Sequence, residues 1–494
     1  MKKQFLLILM LLTWVSTNAQ NYFMSGLIPD DGTYETLPLK KEVLMKGTPP
    51  SKCSMLQYCP NVGDQGDYGT CTGWASVYAA RTIAEAIKYG WTDKNKITEE
   101  AFSPLFVYAL IKETSDVNCK DGSKIYDALD LLKKMGVPKL KDFTPKCASA
   151  NDINRDLKKI AAKNKIDDWC VLFNNDTQKN KNSKIQSVKK SIMERKPVVI
   201  AMWLHRSTFS YTEKVLDLSK VDSDFPKKNK NFEGYHAMCV VGYDDNMYGG
   251  AFQILNSWGT GWGDNGFFWA KYDDFARSVD QAYEINVDPL PQPIPEPEPK
   301  PQPQPTVIYN FAAQFEMKHS NGDVMNAALD SQCGMYCYLL KGKVHSGDRY
   351  RIHISNKEKA YVYVLSSDLT NNVTELFPHP VVEKNGEMVK VNFSPALTYS
   401  CNPIVIPDEN HSIEIDNTKG RDYWCLLYSK EELDIERIIA TVKSSKGSFY
   451  EKIKIALGEK MVPKDDIRFV ENRIEFSAKS EKTVVPVIIE AKHK

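Results

Sequence analysis

The chain of 494 residues carries no marked excess of charge of either sign. Lys and Arg together number 64 and Asp and Glu together number 63, which leaves a formal net charge of +1. A net charge this close to zero gives no reason to expect a nucleic-acid partner. Apolar residues make up 42% and charged residues 26% of the chain, as is ordinary for proteins with buried cores. The length predicts two or three domains.

Long apolar runs are also scarce, and the one at the N-terminus is short. Lys2 and Lys3 precede an apolar run at residues 5–15, which is too short to span a bilayer, and small residues lead up to Ala19. We therefore interpret residues 1–19 as a cleaved signal peptide, with an uncleaved membrane anchor as the alternative. We expect the mature protein to be secreted, periplasmic or at the cell surface, without stable membrane insertion.

Internal repeats are absent, and proline is concentrated in one segment. Residues 289–305 read PLPQPIPEPEPKPQPQP, a composition that excludes a helix or an inner strand. We predict an extended proline-rich linker there, and a ligand for a proline-binding module is the alternative. The linker separates a globular region at residues 48–288, which follows a short N-terminal segment at 20–47, from a second globular region at 306–494.

The patterns before the linker predict an α+β fold of two unlike lobes, because helical periodicity comes first and strand patterns follow. The predicted helices are 71–89, with Gly90 as the stop, and 123–135, with Ser123 as N-cap and Gly136 as the stop. The predicted strands are 198–204, 236–243, 252–255 and 267–271.

After the linker the patterns predict a mainly β domain. Its predicted strands are 350–354, 361–365, 412–415, 423–428 and 484–490. One helix is predicted at 430–442, where Ser429 and Glu432 have the spacing of a capping box.

The eleven cysteines are an odd number, so at least one is unpaired in an exported chain and is a candidate reactive thiol. The sequence does not fix the pairing, and free buried cysteines are equally plausible for Cys170 and Cys239. The possible pairs are Cys53–Cys59, Cys119–Cys147, Cys333–Cys337 and Cys401–Cys425.

One cysteine stands at the end of a glycine-rich loop and at the start of a predicted helix. In the stretch VGDQGDYGTCTGWA at residues 62–75, Gly66 and Gly69 let the loop approach a bound substrate closely, and Cys71 follows them. The partial positive charge of a helix N-terminus favours the thiolate and lowers the pKa of such a cysteine. The pattern therefore predicts an activated nucleophile, with an inert cysteine at the start of a core helix as the alternative.

Histidine is scarce before the linker, where only His205 and His236 are candidates for a base. His205 lies at the end of a strand, and no glycine or hydrogen-bond acceptor pattern surrounds it. We therefore interpret it as a surface or packing residue. His236 begins an apolar strand, a rigid position from which an imidazole can reach across a cleft. Asn256 ends a strand before a Gly-Trp-rich turn, where its amide could fix that imidazole and Trp258 could cover the bond. A turn-forming role is the alternative for Asn256.

Three motifs, DQGDYGTC, GYHAMCVVGY and LNSWGTGWGDNGFFW, occur in the order in which they occur in papain-like cysteine proteases, and residues 48–288 resemble that family. The resemblance implies a two-lobe fold, with a helical lobe and a β-barrel-like lobe. It implies Cys71 as the nucleophile, His236 as its ion-pair partner and proton donor, and Asn256 as the residue that orients the imidazole. It implies an oxyanion hole made by the Gln65 side chain and the Cys71 backbone N–H.

The resemblance also implies a peptide or protein substrate bound near Gly69, Trp258, Gly234 and Tyr235, with no metal and no organic cofactor. Several features depart from the family. Thr72 replaces the usual aromatic residue after the nucleophile. The lysine-rich residues 174–190 suggest a surface insertion. Residues 20–47 are too few for a long folded inhibitory propeptide, so the enzyme is either made active or controlled from elsewhere.

The second globular region resembles an uncharacterised β-rich domain appended to bacterial proteases and kinases. The stretches GDRYRIHISNKEKAYVYVLSSDLTNNVTELFP and IEIDNTKGRDYWCLLYSKEEL carry this resemblance, which names no activity. Its six histidines show no metal-ligand spacing. We interpret it as a module that binds a surface or a protein partner, and a structural role is equally plausible.

The sequence thus predicts an exported cysteine-type endopeptidase with an accessory β domain. Two alternatives remain. The first is a catalytically inactive protease-like protein that binds through residues 306–494. The second is a transglutaminase-like acyl transferase, which the amide at Asn256 disfavours because those enzymes carry an acidic residue in that role.

Overall fold

The structure is a computed structural model, and it describes residues 25–41, 49–174, 180–205, 214–219, 221, 232–287, 308–330, 337–368, 370, 372–384, 387–397 and 403–494. The predicted signal peptide at 1–19 and the proline-rich linker at 289–305 lie outside these residues, as do Cys333 and Cys401. No helix in the described part of the chain is both long and apolar enough to cross a membrane.

One lobe of the region before the linker is mainly helical. Its first helix runs in three consecutive parts, and the middle part is π-helical: Cys71–Gly73, Trp74–Arg81 and Thr82–Tyr89. Gly90 ends this helix in the left-handed conformation, with a φ of 66°, as the sequence predicts. The other helices of the lobe are Lys94–Glu99, Pro104–Ile111, Ile125–Lys134 and Arg155–Ala161.

The other lobe is built on a mostly antiparallel sheet with strand order β2-β8-β3-β5-β6-β7-β4, and β1 pairs with β5. Two helices, Lys181–Met193 and Tyr272–Ser278, belong to this part of the chain. The predicted α+β class, with one helical and one sheet-rich lobe, is confirmed. The strands are β1 Lys52–Ser54, β2 Asp168–Val171, β3 Val198–His205, β4 Val215–Leu216, β5 Phe232–Asp244, β6 Ala251–Leu255, β7 Phe267–Lys271 and β8 Val279–Asn286.

The chain after the linker forms two packed sheets, of order β10-β11-β23-β20-β13-β14 and β18-β12-β9-β22-β21. Helices Ile435–Ser444 and Phe449–Leu457 cover the outer face of the first sheet, so its central strands are buried on both faces. The region is mostly β, as predicted. Its strands are β9 Tyr309–His319, β10 Ala327–Asp330, β11 Cys337–Val344, β12 Arg349–Asn356, β13 Ala360–Ser367, β14 Val373–Phe377, β15 Val381–Lys384, β16 Glu387–Lys390, β17 Ala396–Leu397, β18 Ile404–Ile406, β19 Ile413–Glu414, β20 Gly420–Ser429, β21 Ile467–Phe469, β22 Ile474–Ser480 and β23 Val484–His493.

Residues 25–41, which we call the N-terminal strap, cross both lobes and reach the β domain. Backbone bonds join Leu39 N to Asn392 O at 2.8 Å and Ser394 N to Leu39 O at 2.9 Å. Leu39 also packs against the apolar cores of both regions, and polar contacts join the peptidase-like region to the β domain. They include Lys359 to Asp167 at 3.0 Å.

Two predicted helix caps are wrong. Lys124, not Ser123, is the N-cap of helix Ile125–Lys134, because the backbone of Ser123 pairs with the strap instead. In the β domain, helix Ile435–Ser444 begins after Asp434, whose side chain accepts a hydrogen bond from the Arg437 N–H. Ser429 is the last residue of β20, and its hydroxyl bonds with the backbone of Glu431.

The prediction of a lysine-rich surface insertion is wrong for the described residues 180–190. They form part of helix Lys181–Met193, which buries three of its lysines. Lys184 donates to the carbonyl of Ala276 at 3.0 Å, and Lys189 pairs with Asp245 at 2.6 Å. Carbonyl and carboxylate oxygens satisfy these ammonium groups, so the helix can pack against the sheet lobe.

The cysteines are partly paired as predicted. Cys119 and Cys147 form a disulfide, whereas Cys53 and Cys59 are both free. The Cys53–Cys59 pairing is therefore wrong, and so is a Cys401–Cys425 bond, because Cys425 is a free buried thiol. Cys337 is disulfide-bonded. Cys170 and Cys239 are free and buried, which was one of the two possibilities left open by the sequence.

Candidate active site

Cys71 is the first residue of its helix and is completely buried between the two lobes. Backbone N–H groups of Ala237 and Gly26 hydrogen-bond to its sulfur. Ala237 follows His236 on β5, so the helical lobe presents the thiol directly to the strand that carries the predicted base. A close approach of the neighbouring helix requires Gly73, where an added Cβ would lie 2.5 Å from the carbonyl oxygen of Pro104.

His236 is completely buried, and its Nε2 lies 2.8 Å from Oδ1 of Asn256. An amide oxygen can only accept, so Nε2 carries the proton and Nδ1 is the basic nitrogen of the neutral ring. The same oxygen accepts the Ser257 N–H at 2.7 Å, which fixes the orientation of the amide. Trp258 stacks near the imidazole, with 4.6 Å between ring centroids. The structure therefore brings His236, Asn256 and Trp258 together as the sequence predicts.

Gln65 is buried on the opposite side of the cleft entrance and spans the two lobes. Its Nε2 donates to the carbonyl of Tyr68 at 2.8 Å, and its Oε1 accepts from the Ser257 hydroxyl at 2.7 Å. The Gln65 N–H also donates to the carbonyl of Ser257 at 2.9 Å. Ser257 is a positioning partner that the sequence reasoning missed, although it follows Asn256 directly in the chain. The other candidate base, His205, is buried at the end of β3, in line with a packing role.

Burial, rather than the helix N-terminus, dominates the ionisation of the two reactive groups. It raises the pKa of the Cys71 thiol to about 11, although backbone N–H donors act in the opposite direction. It lowers the pKa of His236 to about 4, and the bond to Asn256 only partly opposes this change. The sequence-based expectation of a lowered thiol pKa and an ion pair is therefore wrong for this closed form, in which thiol and imidazole are both neutral at pH 7.

The strap contributes to the burial of the thiol, because it runs between the two lobes with Gly26 beside the Cys71 sulfur. Leu27 forms an antiparallel bridge to Tyr235 of the sheet lobe and a parallel bridge to Ser123 of the helical lobe. The bridge to Ser123 consists of Ile28 N to Ser123 O at 3.0 Å and Ser123 N to Gly26 O at 2.9 Å. An extended segment of this chain therefore lies between the two lobes, held through its backbone.

Glycines line the passage of the strap. An added Cβ on Gly26 would lie only 2.0 Å from the carbonyl oxygen of Gly69. An added Cβ on Gly122 would lie 2.3 Å from the carbonyl oxygen of Gly26. Gly234 has a φ of 124° and faces Ser25. Three of the four predicted substrate-binding residues, Gly69, Gly234 and Tyr235, therefore contact the strap, whereas Trp258 packs on His236.

Two anchors hold the strap beyond the cleft. Asp30 accepts from Lys124 Nζ at 2.8 Å and caps the short helix Asp31–Tyr34. The Tyr34 side chain is buried, and its hydroxyl donates to the carbonyl of Phe173 at 2.7 Å and accepts from the Ala282 N–H at 3.2 Å. The Asp30 cap followed by an aromatic residue was the only sequence signal for this ordered segment, and the sequence reasoning missed it.

The family comparison agrees with this geometry. Residues 55–286 match the family model described as papain family cysteine protease, and residues 343–432 match a model described as a domain of unknown function, DUF4384. Both predicted resemblances are confirmed. The match to the protease family supports a cysteine peptidase.

A curated relative and several solved structures are similar over the same region. An uncharacterized peptidase C1-like protein of Acanthamoeba polyphaga mimivirus is 26% identical over 223 residues, which is 42% of this chain and 63% of the relative. Xylellain, a cysteine protease from Xylella fastidiosa, is 24% identical, with 53% of this chain and 96% of that chain covered at a TM-score of 0.43. Digestive procathepsin L 3 of Tenebrio molitor is 15% identical, with 54% and 77% covered at a TM-score of 0.39.

Proposed function

We propose that this protein is an exported papain-like cysteine peptidase, and that the strap closes its cleft until it is displaced. The observation that carries the proposal is the convergence of Cys71, His236 and Asn256 at the bottom of a cleft that already holds an extended peptide. The hydrogen bond of 2.8 Å between His236 and Asn256 leaves Nδ1 as the basic nitrogen, which is the protonation state that a general base requires.

Displacement of the strap would let water reach both reactive groups and remove the desolvation that keeps them neutral. The thiol proton then passes to His236, and the thiolate attacks the carbonyl carbon of the substrate peptide bond. The imidazolium returns the proton to the leaving amine as the C–N bond breaks, which gives an acyl-enzyme on Cys71. Water, deprotonated by His236, adds to the thioester, and the thiolate leaves with formation of a carboxylic acid.

The oxyanion formed in these steps needs donors that are already in place. The backbone N–H of Cys71 lies at a helix N-terminus, and Gln65 supplies its Nε2 amide. The bond of Nε2 to the carbonyl of Tyr68 keeps this amide beside the glycine-rich loop. The bond of the Ser257 hydroxyl to Oε1 of Gln65 holds that amide in its orientation.

The backbone bonds of the strap support a peptide substrate. Ser123 and Tyr235 bond the strap through its main chain, and glycines leave room for it. A cleft that grips an extended main chain from both sides is a general device for peptide recognition. We propose that a substrate replaces residues 25–28 at the same backbone groups.

Export is supported by one further observation. Cys119 and Cys147 form a disulfide, and disulfides persist in oxidising compartments such as the periplasm or the extracellular space. Such a compartment agrees with the signal peptide that we expect at residues 1–19.

The test measures hydrolysis of a fluorogenic peptide library by the wild type, by Cys71→Ala and by Cys53→Ser, each after a mild acid step that displaces the strap. Cys53 is a half-buried free thiol and serves as the matched control. We expect Cys71→Ala to lose several orders of magnitude of rate, and Cys53→Ser to keep the wild-type rate. Equal rates for wild type and Cys71→Ala, or a Cys71 that resists a thiol-directed label after displacement, would instead favour the inactive binding protein.

A further inference from the structure

The β domain also contains a buried imidazole, in surroundings unlike those of His236. His493 ends β23, the last strand of the chain, and only 4% of its surface is exposed. Its Nε2 lies 3.0 Å from the Ser346 hydroxyl, which fixes the ring so that Nδ1 faces the neighbouring strand. There Asp422 of β20 is 8% exposed.

Two carboxylates converge on the free side of this ring. The Nδ1 atom of His493, a carboxylate oxygen of Asp422 and a carboxylate oxygen of Asp416 lie within 4.8 Å of one another. In the described part of the chain this is the only group of three or more His, Cys, Asp or Glu residues that reaches that proximity. We call Asp416, Asp422 and His493 the His493 cluster.

The buried pair of this cluster is close but not hydrogen-bonded. His493 Nδ1 and Asp422 Oδ2 are 3.1 Å apart, yet both atoms are buried and neither forms an aligned hydrogen bond. Two ligand atoms that bind one Zn²⁺ ion tetrahedrally at about 2.0–2.2 Å are separated by about 3.3–3.6 Å, so a small outward shift of this pair admits the ion.

We propose that the His493 cluster is a Zn²⁺-binding site of the β domain. Nδ1 of His493 and carboxylate oxygens of Asp422 and Asp416 are the three protein ligands, and water completes the shell because Asp416 lies at the exposed mouth of the site. Imidazole together with carboxylates is a ligand set that suits Zn²⁺ better than the purely oxygen-seeking Mg²⁺ and Ca²⁺.

The residues around the ligands fit this role. With Zn²⁺ on Nδ1, the proton of His493 is on Nε2, and the Ser346 hydroxyl at 3.0 Å is placed to accept it, as partners behind metal-bound histidines do. The Thr418 N–H donates to Oδ1 of Asp416 at 2.7 Å and holds that carboxylate at the site. The ion would tie the end of the chain to the β19–β20 connection, so the site serves the β domain and not the peptidase reaction.

The experiment uses the full chain with Cys71→Ala, so that the catalytic thiol cannot bind the metal. Zn²⁺ affinity is measured by competition with a chromophoric chelator, and bound zinc is counted after dialysis. We expect one Zn²⁺ per chain. Asp416→Asn keeps the acceptor for Thr418 on an exposed loop and should weaken binding by at least about 10-fold. Asp422→Asn and His493→Ala should weaken it further.

His411→Ala is the matched control, because His411 also contacts an aspartate, Asp408, at 2.8 Å but does not belong to the His493 cluster. It should bind Zn²⁺ like the parent. Unchanged affinity in folded Asp416→Asn and Asp422→Asn, or no bound zinc in the folded parent, would overturn the proposal. In that case His493 and Asp422 form an ordinary buried ion pair.

Discussion

His236 in the region before the linker and His493 in the β domain are both buried, and the surroundings of these two rings differ in charge. His236 in the cleft is held by the amide of Asn256, and burial is the main influence on its ionisation. His493 in the β domain is held by the hydroxyl of Ser346 and faces carboxylates. A neutral partner fixes the ring in both cases. The group on the other nitrogen therefore decides whether the imidazole is suited to move a proton or to hold a cation.

The two regions also differ in what keeps water out. The strands that surround His493 belong to its own sheet, whereas the cleft that contains His236 is crossed by the strap, whose Leu27 bridges Tyr235. A cover that is not part of the sheet can leave without unfolding the lobe, and this difference makes the cleft the switchable region of the two.

The largest effect is expected when the neutral partner of each imidazole, Asn256 or Ser346, is removed. Asn256→Ala should reduce kcat/KM for peptide hydrolysis about 100-fold, because the imidazole loses the bond that directs it. Ser346→Ala should leave hydrolysis unchanged and weaken Zn²⁺ binding by about 10-fold. Both variants are measured in both assays. A loss of hydrolysis in Ser346→Ala would show that the two sites are not independent.

A smaller effect is expected from pH. The pKa of His236 is about 4 in the closed form, below the ordinary value of 6.5, so the unfolded chain binds the proton more tightly. The stability of the closed form is therefore present above pH 6.5 and is lost as pH falls towards 4. Between pH 7 and pH 5 the loss from this residue is about 2 kcal/mol.

Thermal unfolding at pH 5 and pH 7 in the Cys71→Ala background measures this loss. His236→Gln, which cannot be protonated, is the control for all other titrating groups. The parent should lose more stability than the His236→Gln variant over this pH range. Equal losses in the two proteins would mean that His236 is already solvated, and that the strap does not cover it in solution.

The smallest effect is expected from a substitution in the strap. Leu27→Asp places a charge in the buried strap position between Ser123 and Tyr235, where it has no compensating partner. The closed form should lose population, and labelling of Cys71 by a thiol reagent should rise by at least about 10-fold. Val117→Asp, at a residue that is 74% exposed, is the control and should label like the wild type. If Leu27→Asp leaves the labelling rate of Cys71 unchanged, the strap does not control access to the cleft.

The residues that the structure brings together in the cleft can be located in the sequence because they lie in local motifs. The glycine-rich loop before Cys71, the strand of His236 and the turn after Asn256 each have a recognisable pattern, and the fold places them together. Gly90 was also predicted correctly, since a single residue supplies the left-handed stop of the helix.

The features that the sequence did not predict depend on partners far away in the chain. Ser123 was taken as a helix cap, but its backbone is paired with Gly26 and Ile28. Ser429 loses its capping role because Asp434 lies at a better position for the next helix. The lysines of residues 181–190 look exposed in the sequence, and only the carbonyl of Ala276 and the carboxylate of Asp245 explain their burial.

The His493 cluster was missed for a similar reason. A search for metal-ligand spacing compares residues that are close in the sequence, whereas Asp416 and Asp422 meet His493 only because β20 pairs with β23. The thiol pKa was predicted in the wrong direction because the helix N-terminus is visible in the sequence and the covering strap is not.

The bridges of Leu39 have a mechanical consequence. This residue pairs with Val171 of the sheet lobe and with Phe393 of the β domain, so one backbone segment is a shared strand between the two regions. A load that separates the β domain from the sheet lobe must break one of these pairings and pull on the peptide chain that leads back to Gly26 beside the sulfur. The β domain and the segment beside Cys71 are thereby connected through one stretch of backbone.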